Sequence, residues 1–169
     1  QAFAVAAGQG AARFWRRWGQ VAGCALLVSA GSWFMFPQSW ISFGVLHGIA
    51  VMLLLLRLGL SRLPALALLA LAAAALAAPT LLQSPVFDTR WTNWVGLVTH
   101  KPITEDYVPV LPWLGVMALG FVVARARPRL WAGPAPRPLA VLGRWSLSFY
   151  MVHQPVLIGA LMAVQALKG

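Results

Sequence analysis

Long stretches without one charged side chain constrain this sequence more than any other feature. Gly19–Phe36, Pro64–Leu82, Tyr107–Ala124 and Trp145–Leu167 contain no Asp, Glu, Lys or Arg, and Ile41–Leu60 contains only Arg57. Crossing a bilayer takes about 20 apolar residues, with a range of roughly 17–25. The runs are continuous and do not alternate, so they fit helices and not barrel strands. Composition agrees: 60% of residues are hydrophobic and 9% charged, against about 45–50% and about 25% in globular proteins. A soluble domain this small could not hide so much apolar surface, and disordered chains are poor in it. The expected fold is all-α, a polytopic transmembrane helical bundle in one domain over residues 1–169. It has five full spans, with Gln1–Gly10 as the tail of an earlier one. A first residue of Gln1 rather than Met fits an N-terminal truncation.

The formal net charge of +10 would point to nucleic acid in a soluble chain, but the arginines follow membrane topology instead. Arg13, Arg16, Arg17, Arg57, Arg62, Arg125, Arg127, Arg129, Arg137 and Arg144 all fall on one face when the spans alternate. Arg90, Lys101 and Lys168 fall on the other, giving ten against three, and the richer face is cytoplasmic by the positive-inside rule. All three acids, Asp88, Glu105 and Asp106, are external. Trp15, Trp18, Trp131 and Trp145 mark the inner boundary and Trp40, Trp91 and Trp94 the outer one. Arg13–Trp18, RFWRRW, is expected to lie in the headgroup layer before the chain turns inward.

Ionisable groups within spans are costly and mark functional positions. His47 lies about 9 Å below the outer interface and His153 about 12 Å above the inner one, at roughly 1.5 Å per residue. In a core about 30 Å thick the two could line one cavity. Gly44 and Gly48 flank His47 in G-x-x-x-G spacing, which admits a close helix neighbour. Ser146, Tyr150 and His153 share one helix face, followed by Gln154 and by Pro155, expected to kink the helix. Packing seams explain both clusters almost as well as a cavity does.

The external connection Gln83–Asp106 is long for a structureless linker. It carries Trp91, Trp94, His100, Lys101, Glu105 and Asp106, then Tyr107 and the PVLPW stretch with Trp113. Aromatic rings beside carboxylates suit a sugar or amine acceptor, although an interfacial belt would look the same. Phosphate-binding Gly loops, H-E-x-x-H, paired cysteines and G-x-S-x-G are absent from the sequence. The single cysteine, Cys24, excludes an internal disulfide framework. No metal and no nucleic-acid partner is expected.

Three stretches resemble a known family: FPQSWISFGVLHGIAV (Phe36–Val51), GLVTHKPITEDYVPVLPWLGVMALG (Gly96–Gly120) and GRWSLSFYMVHQPVLIGAL (Gly143–Leu161). Together they resemble bacterial membrane proteins of the heparan-alpha-glucosaminide N-acetyltransferase catalytic-domain family, from about Trp15 onward. The resemblance implies a helical-bundle acyltransferase of the bacterial inner membrane. It would take an acetyl group from cytoplasmic acetyl-CoA and deliver it to an outer acceptor. The family's opening Asp-x-x-Arg-Gly signature has no counterpart in Gln1–Trp18, so its N-terminal helices are expected to be missing.

On this reading His47 is the general base, a task that suits an imidazole with an ordinary pKa of about 6.5. The sequence leaves direct transfer and a ping-pong route through an acyl-histidine both open. Asp106 orients the base or holds an acceptor ammonium. Tyr107 and Trp113 contribute to substrate binding. Tyr150, His153 and Gln154 line the passage for the thioester, and Arg144 in its loop meets the nucleotide phosphates. Partners are then the bilayer, acyl-CoA and a polar acceptor, with a homo-oligomer also compatible. Three other classes compete: a non-catalytic assembly subunit, a bis-histidine haem protein, and a proton-coupled transporter. The depth mismatch of about 9 Å between the histidines argues against haem. The spans contain no acid for a proton relay.

Overall fold

The computed structural model describes residues 10–128 and 136–168, and every element of regular structure among them is a helix. The chain divides into two units, Gln1–Ala132 and Gly133–Gly169. The first holds α1 (Ala11–Met35), α2 (Val45–Leu58), α3 (Ala65–Leu81) and α4 (Val110–Ala126). The second holds α5 (Arg137–Lys168). Short 3-10 turns at Leu60–Arg62, Pro85–Phe87 and Asn93–Val95 punctuate the connections. Trp131, Arg129 and most of the segment read as an earlier span lie outside the described residues.

Proline sets most helix limits. α1 stops at Met35 because Pro37 forces Phe36 out of the helical region, to φ −135° and ψ 65°. Pro64 and Pro109, both extended, immediately precede α3 and α4. The α1 helix already includes RFWRRW, so that stretch forms its first turns with no intervening bend. The α5 helix begins at Arg137, eight residues before the expected start at Trp145. Arg144 therefore stands within a helix and not in a loop, a correction to the sequence expectation. Pro138 at the second helical position is well placed, because a proline in the first turn sacrifices no helix hydrogen bond. The helix continues through Pro155.

Helices α2, α3 and α4 have 14, 17 and 17 residues, or about 21–26 Å at roughly 1.5 Å per residue, short of a core about 30 Å thick. Among the described residues only Pro138–Leu167 is long and apolar enough to cross a membrane on its own terms. Residues 41–44 and 107–109, expected within spans, lie outside α2 and α4.

In the first unit α3 packs on α4 and α2 on α1. The backbones of α3 and α4 approach so closely at Gly115 that a Cβ there would stand 2.8 Å from the Ala72 carbonyl oxygen. Phe14, Leu53, Leu56, Leu68 and Phe121 form the fully buried cluster that joins all four helices. Trp18 Nε1 donates to the Ala50 carbonyl at 2.9 Å, locking α1 to α2 beside it.

Candidate active site

His47 and Asp106, named from the sequence as base and orienting acid, meet at the first turn of α2. A helix start leaves several backbone N–H groups without partners. Here one distant side chain, Asp106, and one local one, His47, share that task. Asp106 Oδ2 accepts the Val45 N–H at 2.7 Å, and His47 Nδ1 accepts the Gly44 N–H at 3.3 Å. Gly44 is required because any Cβ would collide with the Asp106 carboxylate. Gly48 is needed for a similar reason, since its Cβ would lie 2.8 Å from the Val108 carbonyl oxygen. The G-x-x-x-G spacing thus admits the Asp106–Val108 segment and not a neighbouring helix, which corrects the packing expected from sequence. The negative carboxylate also sits at the positive end of the α2 dipole.

The hydrogen-bond network fixes the histidine tautomer. Ser29 Oγ donates to the Ile41 carbonyl at 2.6 Å and lies 3.2 Å from His47 Nε2. With the hydroxyl proton so committed, Nε2–H is the donor to Ser29 and Nδ1 carries the lone pair that faces Gly44. Ser32 Oγ accepts the Ile41 N–H at 2.9 Å and donates to the Ser29 carbonyl at 3.0 Å. The two serines thus hold both polar groups of Ile41 and keep residues 41–44 out of α2. Neither serine was singled out from the sequence. Their i, i+3 spacing inside an apolar run was the available signal.

The connection between α3 and α4 folds back onto this turn. Ser39 and Glu105 pair twice, with Ser39 Oγ donating to Oε1 at 2.5 Å and the Glu105 N–H donating to the Ser39 carbonyl at 3.0 Å. Thr104 Oγ1 lies 3.1 Å from the Trp40 carbonyl. Tyr107 Oη donates to the Asn93 carbonyl at 2.7 Å, and burial pushes the phenol up to about 12. Phe43 bridges rings from the loop to the site, 6.1 Å from Trp94 and 5.6 Å from His47 between centroids. Trp113 stands half-exposed in the first turn of α4.

A cleft of about 250 Å³ opens in the same connection, lined among others by Trp40, Asp88, Arg90, Asn93, His100 and Lys101. Asp88 accepts the Thr99 N–H at 2.8 Å and the Thr99 hydroxyl at 2.6 Å. Those bonds, the hydroxyl first, hold its carboxyl below the usual carboxylate range, and His100 stands 3.5 Å away. The Arg90 guanidinium lies 5.5 Å over the Trp40 ring and donates to the Gln38 carbonyl at 3.1 Å. The sequence reading singled out the aromatic and charged loop residues but not Asn93, which is 2% exposed.

Arg144, Tyr150, His153 and Gln154 all belong to α5 in the second unit. His153 Nδ1 donates to the Tyr150 carbonyl at 2.7 Å, and its ring stacks on Phe149 at 5.9 Å and 8°. Ser146 Oγ donates to the Gly143 carbonyl at 3.0 Å. His153 and Ser146 thus bond to their own helix.

The family model for heparan-alpha-glucosaminide N-acetyltransferase, catalytic, matches residues 1–155, and the chain belongs to that family. Its members are acetyltransferases by name, and the match confirms the family expected from the sequence. No curated protein and no solved structure matches the chain.

Proposed function

We propose that this chain forms part of a membrane acyltransferase that moves an acetyl group from cytoplasmic acetyl-CoA to an amine or hydroxyl of a sugar-like acceptor on the outer side. The observation that supports this best is the meeting of His47 and Asp106 at one helix terminus, in a chain of an acetyltransferase family.

In the proposed step the acceptor nitrogen or oxygen attacks the thioester carbonyl and its proton passes to His47 Nδ1. The C–S bond breaks as the tetrahedral intermediate collapses. The imidazolium then returns the proton to the departing thiolate, restoring both groups. Proton uptake at Nδ1 gives up the long Gly44 bond, and Asp106 at the same turn supplies the counter-charge. Tyr107 and Trp113 are assigned to the acceptor.

His47→Gln is the sharpest test, because glutamine at the third helical position can still reach the Gly44 N–H but cannot act as a base. Transfer from labelled acetyl-CoA by the full-length protein in nanodiscs should fall about 10²–10⁴-fold while circular dichroism is unchanged. Undiminished turnover would remove His47 from the chemistry. Asp106→Asn keeps an oxygen for the Val45 N–H and loses the charge. It should raise KM for the acceptor more than for acetyl-CoA. A second reading, a non-catalytic subunit, draws on the engagement of both His47 nitrogens. It gains if no amine or sugar acceptor ever consumes acetyl-CoA.

A further inference from the structure

Two buried polar atoms without a partner among the described residues belong to residues that line the cleft. They are Trp40 Nε1, a donor, and Asn93 Oδ1, an acceptor. Buried groups of this kind are nearly always satisfied in native proteins, so an unmatched pair at one cleft calls for a matching ligand. The charges around them narrow its chemistry. Arg90 and Lys101 line the cleft with Asp88 as the sole carboxylate among the lining residues, and the Asp88 oxygens are already engaged by Thr99. Protonated His100 would add to the positive excess.

We infer that this cleft binds a small hydroxylated anion, a sugar acid or a polyol phosphate. An anionic oxygen would accept from the Trp40 indole and from the cationic side chains, and a neighbouring hydroxyl would donate to Asn93 Oδ1. A neutral polyol answers Asn93 and leaves Arg90 and Lys101 without an anion. An amine meets surplus positive charge. The volume of about 250 Å³ holds one sugar-sized unit. The Arg90 guanidinium lies exposed over the Trp40 ring at the same cleft, where an oxyanion would meet it. The site is argued without the transfer reading and stands or falls apart from it.

Binding to the full-length protein in detergent, measured by calorimetry with no thioester present, tests the inference. The probes are D-glucuronate, glycerol 1-phosphate, inorganic phosphate, D-glucose and glycerol. Either D-glucuronate or glycerol 1-phosphate should bind, and which one does identifies the source of the anion. D-glucose, glycerol and inorganic phosphate should each bind at least tenfold more weakly. Trp40→Phe and Asn93→Leu should each weaken the preferred anion at least tenfold. Lys101→Gln, at an exposed position that leaves the fold intact, should weaken it about threefold. Failure of both anions to bind, equal binding of the neutral polyol, or unchanged affinity in Lys101→Gln would overturn the assignment.

Discussion

The two ends of the first unit are built by different physics. At the arginine-bearing end, burial does most of the work. Phe14, Leu53, Leu56, Leu68 and Phe121 are all at most 1% exposed. The cations there rest on rings, with Arg57 5.4 Å over Phe14 and Arg125 5.7 Å over Phe121, while Arg125 also donates to the Leu63 carbonyl at 2.8 Å. At the opposite end, long-range bonds to backbone groups hold the chain: Ser29 and Ser32 on Ile41, Asp106 on Val45, Thr104 near Trp40, Tyr107 on Asn93. Burial is tolerant of direction, whereas a hydrogen bond is not. The end that relies on directional bonds is the one that holds His47 and Asp106 in register, and it is where both candidate sites fall.

This contrast can be broken in order of expected size. Leu53→Ala should cost about 2–5 kcal/mol in chemical unfolding, because it empties a fully packed position. Activity per folded molecule should stay near normal; a large loss would mean the core end also sets the site. Gly48→Ala should cost about 1–3 kcal/mol, since the new methyl meets backbone and not a yielding side chain. Unlike Leu53→Ala, it should lower transfer in the molecules that remain folded. Ser29→Ala should cost about 1 kcal/mol, the usual net worth of such a bond, with a larger effect on turnover than on stability.

The smallest effects are those of pH on the connection between α3 and α4. Tyr107 is held neutral with its pKa pushed from 10.0 to about 12. Its contribution is complete below pH 10 and lost as pH rises through 12. Thermal unfolding across that window should flatten in Tyr107→Phe. The Asp88 carboxyl is lowered by Thr99, so its contribution is present above the ordinary carboxylate range and fades as pH falls through the depressed value. Thr99→Val should remove that acid sensitivity, and an unaltered profile would deny the pair any part in holding the loop.

The sequence reveals local features well and distant ones poorly. The α3 helix falls within one residue of its expected limits, because an unbroken Ala/Leu run between prolines leaves little choice. The late start of α2 was hidden, since it is fixed by Ser29 and Ser32 from one helix and Asp106 from a loop. The early start of α5 was signalled by Pro138, but the surrounding Arg and Pro residues made the segment look like a loop. His47 and Asp106 were found as a polar group in an apolar run and an acid at a span boundary. Their meeting depends on Gly44 and Gly48, whose role reads as helix packing until the approaching segment is seen.

The carboxylate that caps α2 lies sixty-one positions after the residue it serves. During synthesis the opening turn of α2 must therefore leave the ribosome unfinished, and a nascent chain arrested before Asp106 carries His47 on a frayed end.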